Sequence, residues 1–141
     1  MAEWFKLALL ASLLYGLHQV FTKLAADKIG EGLGALVVEG IATLTIALYL
    51  VSLFGFGRWS LKWSVAGIVY SALTGVCVGI GTIAFFLLFK KGAPLSAVPG
   101  ILAGGMALMA IVGIAVFREP ASLGRLLGIG LSLAGLALLR R

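Results

Sequence analysis

The chain has 141 residues, 62% of them hydrophobic and 11% charged, against about 45–50% and about 25% in an ordinary soluble domain. A water-soluble fold of this size cannot hide so much apolar side chain, so the composition excludes a soluble enzyme or binding module and points to lipid. The net charge of +6 is scattered singly and in pairs between apolar runs, which reads as bilayer anchoring and not as a nucleic-acid surface.

The N-terminus starts like a signal peptide, with a charge and an apolar run. That run is longer than a signal core and has no small-x-small cleavage site before Lys23, so a retained helix is expected. A spanning helix needs about 20 mostly apolar residues. The charges divide the chain into five segments of that size, at residues 4–26, 33–56, 63–89, 94–117 and 121–139. No charge falls between Lys62 and Lys90 or between Lys91 and Arg118. The second segment carries Glu39 and the fifth has Arg125 in its first turns, where a long side chain snorkels to the headgroups.

The connections at 27–32, 55–58, 90–94 and 118–120 are short and rich in glycine, proline and charge, so neighbouring helices run antiparallel. Trp4, Trp59 and Trp63 fall at helix ends, where an indole prefers the interface. The fold class is therefore all-α and multi-pass, one transmembrane domain over 1–141. The lone Cys77 forms no intrachain disulfide and is expected to serve in packing.

Polar residues inside these segments need partners, because hydrocarbon supplies none. In the first helix Ser12, Tyr15, His18, Gln19 and Thr22 recur at helical spacing and form one stripe. The second helix brings Glu39, the only acid expected within the membrane, with Thr43 one turn on. By rise per residue Glu39 lies about 8 Å and His18 about 4 Å from the midplane, displaced to the same side and within reach of each other. Two readings stay open. Glu39 either trades a proton for a substrate cation, or forms an ion pair with Lys23 or Lys28 that locks the first two helices together. In the third helix Tyr70, Ser71, Thr74, Gly81 and Thr82 give a second polar, small-residue face, suited to lining a cavity or to close packing.

Small residues dominate the last two helices: Ser96, Gly100, Gly104 and Ala107 in the fourth, and Gly124, Gly128, Ser132 and Gly135 in the fifth. Near four-residue spacing makes these small-xxx-small packing faces, and the fifth helix is the expected dimer seam. Pro99 followed by Gly100 reads as an interior kink, a hinge or a device that shapes a cavity. The sequence has no phosphate-binding glycine loop, no His-Glu-x-x-His and no nucleophile motif, so neither enzyme chemistry nor a metal or cofactor is expected.

Lysine and arginine do not set an orientation. Lys6, Arg58, Lys62, Arg118 and Arg125 fall on the N-terminal side, and Lys23, Lys28, Lys90, Lys91, Arg140 and Arg141 on the other. This near balance gives no positive-inside signal. It allows dual insertion and antiparallel homodimers that imitate inverted repeats; insertion in a single orientation set by other context is the alternative.

The segment from Lys90 to Leu139 resembles the C-terminal part of an EamA repeat of the drug/metabolite transporter superfamily. The shared features are Gly92-Ala93-Pro94 entering a small-residue helix, Arg118-Glu119-Pro120 closing it, and a last helix with Gly128 and Ala134-Gly135. Tyr15-Gly16 stands where the family often has Trp-Gly, with Lys23 at the far end of that helix, so the resemblance covers the whole chain. Most relatives carry two inverted repeats and this chain one, which implies a homodimer. The last two helices are also similar to small multidrug resistance transporters, whose first-helix glutamate has no counterpart near Tyr15. Glu39 stands where many EamA repeats have arginine.

The expectation is a multi-pass protein of the cell membrane, acting as half of a homodimeric secondary transporter of small organic metabolites or drugs. Glu39, His18, Tyr15, Gln19, Tyr70 and Thr74 would serve substrate binding or proton coupling. The competing expectation is a non-transporting membrane subunit, or a component of a lipid-carrier flippase.

Overall fold

In a computed structural model, the structure describes residues 3–57 and 62–138, apart from the side chains of Glu3, Arg125, Ser132 and Leu136. Arg58 and Trp59, expected at an interface, and the terminal Arg140 and Arg141 lie outside these residues. Among the described residues all regular structure is helical: α1 (Glu3–Ala26), α2 (Glu31–Gly55), α3 (Val65–Lys90), a 3-10 turn (Leu95–Ala97), α4 (Val98–Ala115) and α5 (Leu123–Leu138).

Four of the expected spans are long and apolar enough to cross a membrane: α1, α2, α3, and the 3-10 turn together with α4, which gives 21 residues from Leu95 to Ala115. At about 1.5 Å per residue these run from roughly 31 to 39 Å, against a hydrocarbon core of about 30 Å. The 16 residues of α5 cover only about 24 Å, so α5 is apolar but short for a span.

The helix ends follow from local chemistry. Ser64, in extended conformation, caps α3 by accepting a hydrogen bond from the Gly67 amide at 3.0 Å. Beyond α2 and α3 the chain turns through Gly57 and Gly92, at φ 65° and 87°, where a side chain would be strained. Past α4 the non-glycine Arg118 takes φ 53°, and the Glu119 amide closes back on the Gly113 carbonyl at 3.1 Å.

The chain divides into two compact units, 1–93 and 94–141. In the first, α3 packs on both α1 and α2. The shared core sits at one end, where Thr22, Ala26, Gly34, Ala35, Thr82, Phe86 and Phe89 are buried. Over residues 4–17, 40–52 and 62–78 every residue is exposed, so the three helices do not bury one another there. Cys77 lies in this exposed part of α3; the packing role expected of it is not found, because α3 buries only its last third.

α2 and α3 are antiparallel in a tight register. Glu31 pairs with Lys90 at 2.7 Å, Gly34 abuts Phe86, and Glu39 meets Thr82 at 2.7 Å. Each turn forward on α2 is thus matched by a turn back on α3. The close approach depends on Gly34, since a Cβ there would stand 2.6 Å from Cε1 and 2.7 Å from Cζ of Phe86, a ring only 1% exposed.

In the second unit α5 packs along α4. Pro99 is not interior, as the sequence suggested: a 3-10 turn precedes α4, and Pro99 is its second residue. Its missing N–H falls where a first-turn amide has no intrahelical acceptor, so it starts the helix without kinking it.

Gly34→Ala is expected to lower stability by about 1–3 kcal/mol, because the buried Phe86 ring must shift. Gly40→Ala, where a Cβ meets nothing within 4 Å, is expected to cost nothing. Thermal unfolding of both purified variants in detergent, against the parent protein, checks the pair.

Candidate functional site

Glu39 sits in the third turn of α2, about 6 Å from the middle of that helix. Its side chain is half-buried, and its Oε1 accepts a hydrogen bond from the Thr82 hydroxyl at 2.7 Å. Thr82 is 5% exposed and shares the same hydrogen with the Val78 carbonyl at 3.0 Å. The register of α2 against α3 makes this pairing: with Gly34 seated on Phe86, one further turn brings the carboxyl opposite the hydroxyl.

Of the two lysines expected as partners of Glu39, Lys23 is engaged elsewhere. The Lys23 ammonium donates to the Ala93 carbonyl at 2.8 Å and lies 5.1 Å from the centre of the Phe89 ring, a cation–π contact. Lys90 is paired with Glu31. The contact of His18 with Glu39 does not form; Thr82 takes that place. Among the described residues, then, Glu39 meets one hydroxyl and no cation.

The α1 stripe divides along its length. Ser12 and Tyr15 are exposed, His18 is half-buried, and Gln19 and Thr22 are buried. Thr22 donates to the His18 carbonyl at 2.8 Å, which satisfies its hydroxyl within the helix. Gln19, 8% exposed, has a buried Oε1 with no hydrogen-bond partner among the described residues, and His18 Nδ1 is in the same condition. α1 and α3 both end at the packed end of this unit. Since Lys23 reaches Phe89, His18 and Gln19 lie within about one helical turn, on the order of 5 Å, of the depth of Thr82 and Glu39. Among the described residues, the side-chain contact shown at this depth is that of Thr82 with Glu39.

The α3 face also divides. Tyr70, Ser71 and Thr74 are exposed, and Thr74 donates to the Tyr70 carbonyl at 2.9 Å. Only Gly81 and Thr82 belong to the packed part. Tyr15, Tyr70 and Thr74 are therefore not brought together with Glu39 by the packed core. The residue that sequence reasoning left out of the site is Thr82, whose signal was its place on the small, polar face of α3.

In the second unit a cavity of about 350 Å³ is lined by Met106, Ala107, Ala110, Ile114, Glu119, Gly128 and Ile129. Among the described residues a Cβ at Gly124, Gly128 or Gly135 meets nothing within 4 Å, so no close approach is found there at these glycines. Gly100 is buried at the start of α4, and the side chain of Ser132 is outside the described ones. Among the described residues no group of three or more His, Cys, Asp or Glu is placed to hold a metal ion.

Thr82→Val keeps the shape of the side chain and removes the donor, and is expected to destabilise the protein by about 1–2 kcal/mol. Thr82→Ser should retain most of that stability, and in a Glu39→Leu background the cost of Thr82→Val should shrink. Thermal unfolding of the four variants gives the cycle. No family model, curated protein or solved structure matches the chain.

Proposed function

We propose that this chain is one subunit of a homodimeric secondary carrier that moves small organic molecules across the cell membrane by alternating access. The observation that carries this reading is Glu39, an acid on a helix able to span the membrane, held by one hydroxyl and by no cation among the described residues. Taking a carboxylate out of water costs several kcal/mol unless a partner compensates it. With Lys23 and Lys90 committed elsewhere, the compensation comes from a proton or from a cationic group brought in from outside. A group that accepts either is the basic part of an exchanger.

Three further features support the reading. The extended, exposed apolar surfaces of α2 and α3 suit lipid and a second copy. The near balance of lysine and arginine between the two sides suits insertion of copies in both orientations. The order of motifs from Lys90 onward, with α5 as a fifth crossing completed by the dimer, suits one EamA-like repeat of the drug/metabolite transporter superfamily. In such an arrangement Gly124, Gly128 and Gly135, open within the chain, serve as the seam.

Purified protein in liposomes, given a panel of small organic solutes with and without a pH gradient, is expected to move at least one class of solute faster than empty vesicles. Glu39→Gln is expected to remain folded and lose the effect of the gradient. Absence of flux for every solute would leave a non-transporting subunit, or a flippase component, as the better account; unchanged coupling in the variant would remove Glu39 from the mechanism.

A further inference from the structure

The packed end of the first unit carries an excess of cations. The ends of α1 and α3 and the start of α2 lie there, with Lys23, Lys28, Lys90 and Lys91 against two acids, Asp27 and Glu31. Lys90 is paired with Glu31, and Lys23 is held by the Ala93 carbonyl and the Phe89 ring. Lys91 is exposed and makes no ion pair among the described residues. It lines a groove of about 550 Å³ together with Ala84, Leu87, Leu88, Gly92 and Ala93. Residues 84, 87, 88 and 91 share one face of α3, opposite the face that buries Phe86 and Phe89. On a helix able to cross a membrane, this outer face is an apolar strip with a cation at the helix end, the level of the headgroups.

The backbone of the turn offers an anion nothing. The amides of Lys91, Gly92 and Ala93 donate to the Leu87, Phe89 and Leu88 carbonyls at 3.0, 2.9 and 3.2 Å, and the Ala93 carbonyl accepts from Lys23. The same bonds occupy carbonyls that would otherwise repel an anion at a helix C-terminus. The Lys91 ammonium is thus the group left to recognise a charged headgroup.

We propose that this groove binds an anionic phospholipid, with an acyl chain along Ala84, Leu87 and Leu88 and the phosphate met by Lys91. Charge selects the occupant. A zwitterionic lipid brings the same chain, but its own cation offsets its phosphate, whereas a lysine beside an anionic headgroup favours binding about fivefold. The inference concerns a resident lipid and holds whether or not the chain moves a solute.

The test uses the full chain in bilayers of equimolar phosphatidylglycerol and phosphatidylcholine, both with palmitoyl and oleoyl chains. After extraction in mild detergent, native mass spectrometry counts the lipid retained on the protein. Phosphatidylglycerol is expected to exceed phosphatidylcholine about fivefold. Lys91→Gln should bring the two within about twofold of each other. Lys28→Gln removes the same charge from the same end without touching the groove lining, and should keep the preference. Ala84→Trp, at an exposed position, should fill the groove and abolish retention; thermal unfolding of each variant verifies that it is folded. Equal retention of the two lipids, no retained lipid, an unchanged preference in Lys91→Gln, or an equal loss in Lys28→Gln would each overturn the inference.

Discussion

Hydrocarbon offers no hydrogen bonds, and that deficiency organises the first unit of this chain. Backbone groups are met by helix formation. Hydroxyls on the exposed parts of the helices are met inside them: Thr43 donates to the Glu39 carbonyl, Thr45 to Ile41 and Ser52 to Tyr49. Such residues present an apolar exterior despite their composition. Glu39 is different, because a carboxyl cannot turn back on its own helix for full compensation. Its contact with Thr82 is, among the described residues of the first unit, a polar bond that crosses between helices away from their ends, and the packing around it is what makes that bond possible.

The close approach of Gly34 to Phe86 lies one turn from the Glu39–Thr82 pair and sets the spacing that the pair requires. Beyond it, at the helix ends, come the Glu31–Lys90 ion pair and the Lys23 clamp on Phe89 and Ala93. The ion pair is exposed at 41% and 39% and contributes little by itself, but it marks the same register. Toward the other end this order stops: α2 and α3 keep their helices and lose their neighbours. A unit packed at one end and exposed along the rest leaves Glu39 at the border between the two.

Much of this was legible beforehand, because charge spacing and apolar length are local properties. The helices over 4–26, 33–56 and 63–89 match α1, α2 and α3 to within two residues at each end, and Glu39 and the α1 stripe were visible as polar groups where lipid should be. What could not be read was register. The link between α2 and α3 leaves the sliding of one helix along the other undetermined, so Lys23, Lys28 and His18 were as plausible as Thr82 for a partner. Only the fit of Phe86 over Gly34 decides it. Pro99 misled for a related reason: the apolar run begins at Pro94, but a 3-10 turn uses up the first residues, and the proline falls at a helix start.

The proposed coupling requires Glu39 to be an acid in an apolar setting that solutes can reach. An apolar carbodiimide reacts with protonated carboxyls from within the bilayer, so peptide mapping of the reconstituted protein after such treatment tests the point most directly. The account expects an adduct on Glu39 that a transported solute suppresses. An unmodified Glu39, or an adduct that no solute diminishes, would contradict it.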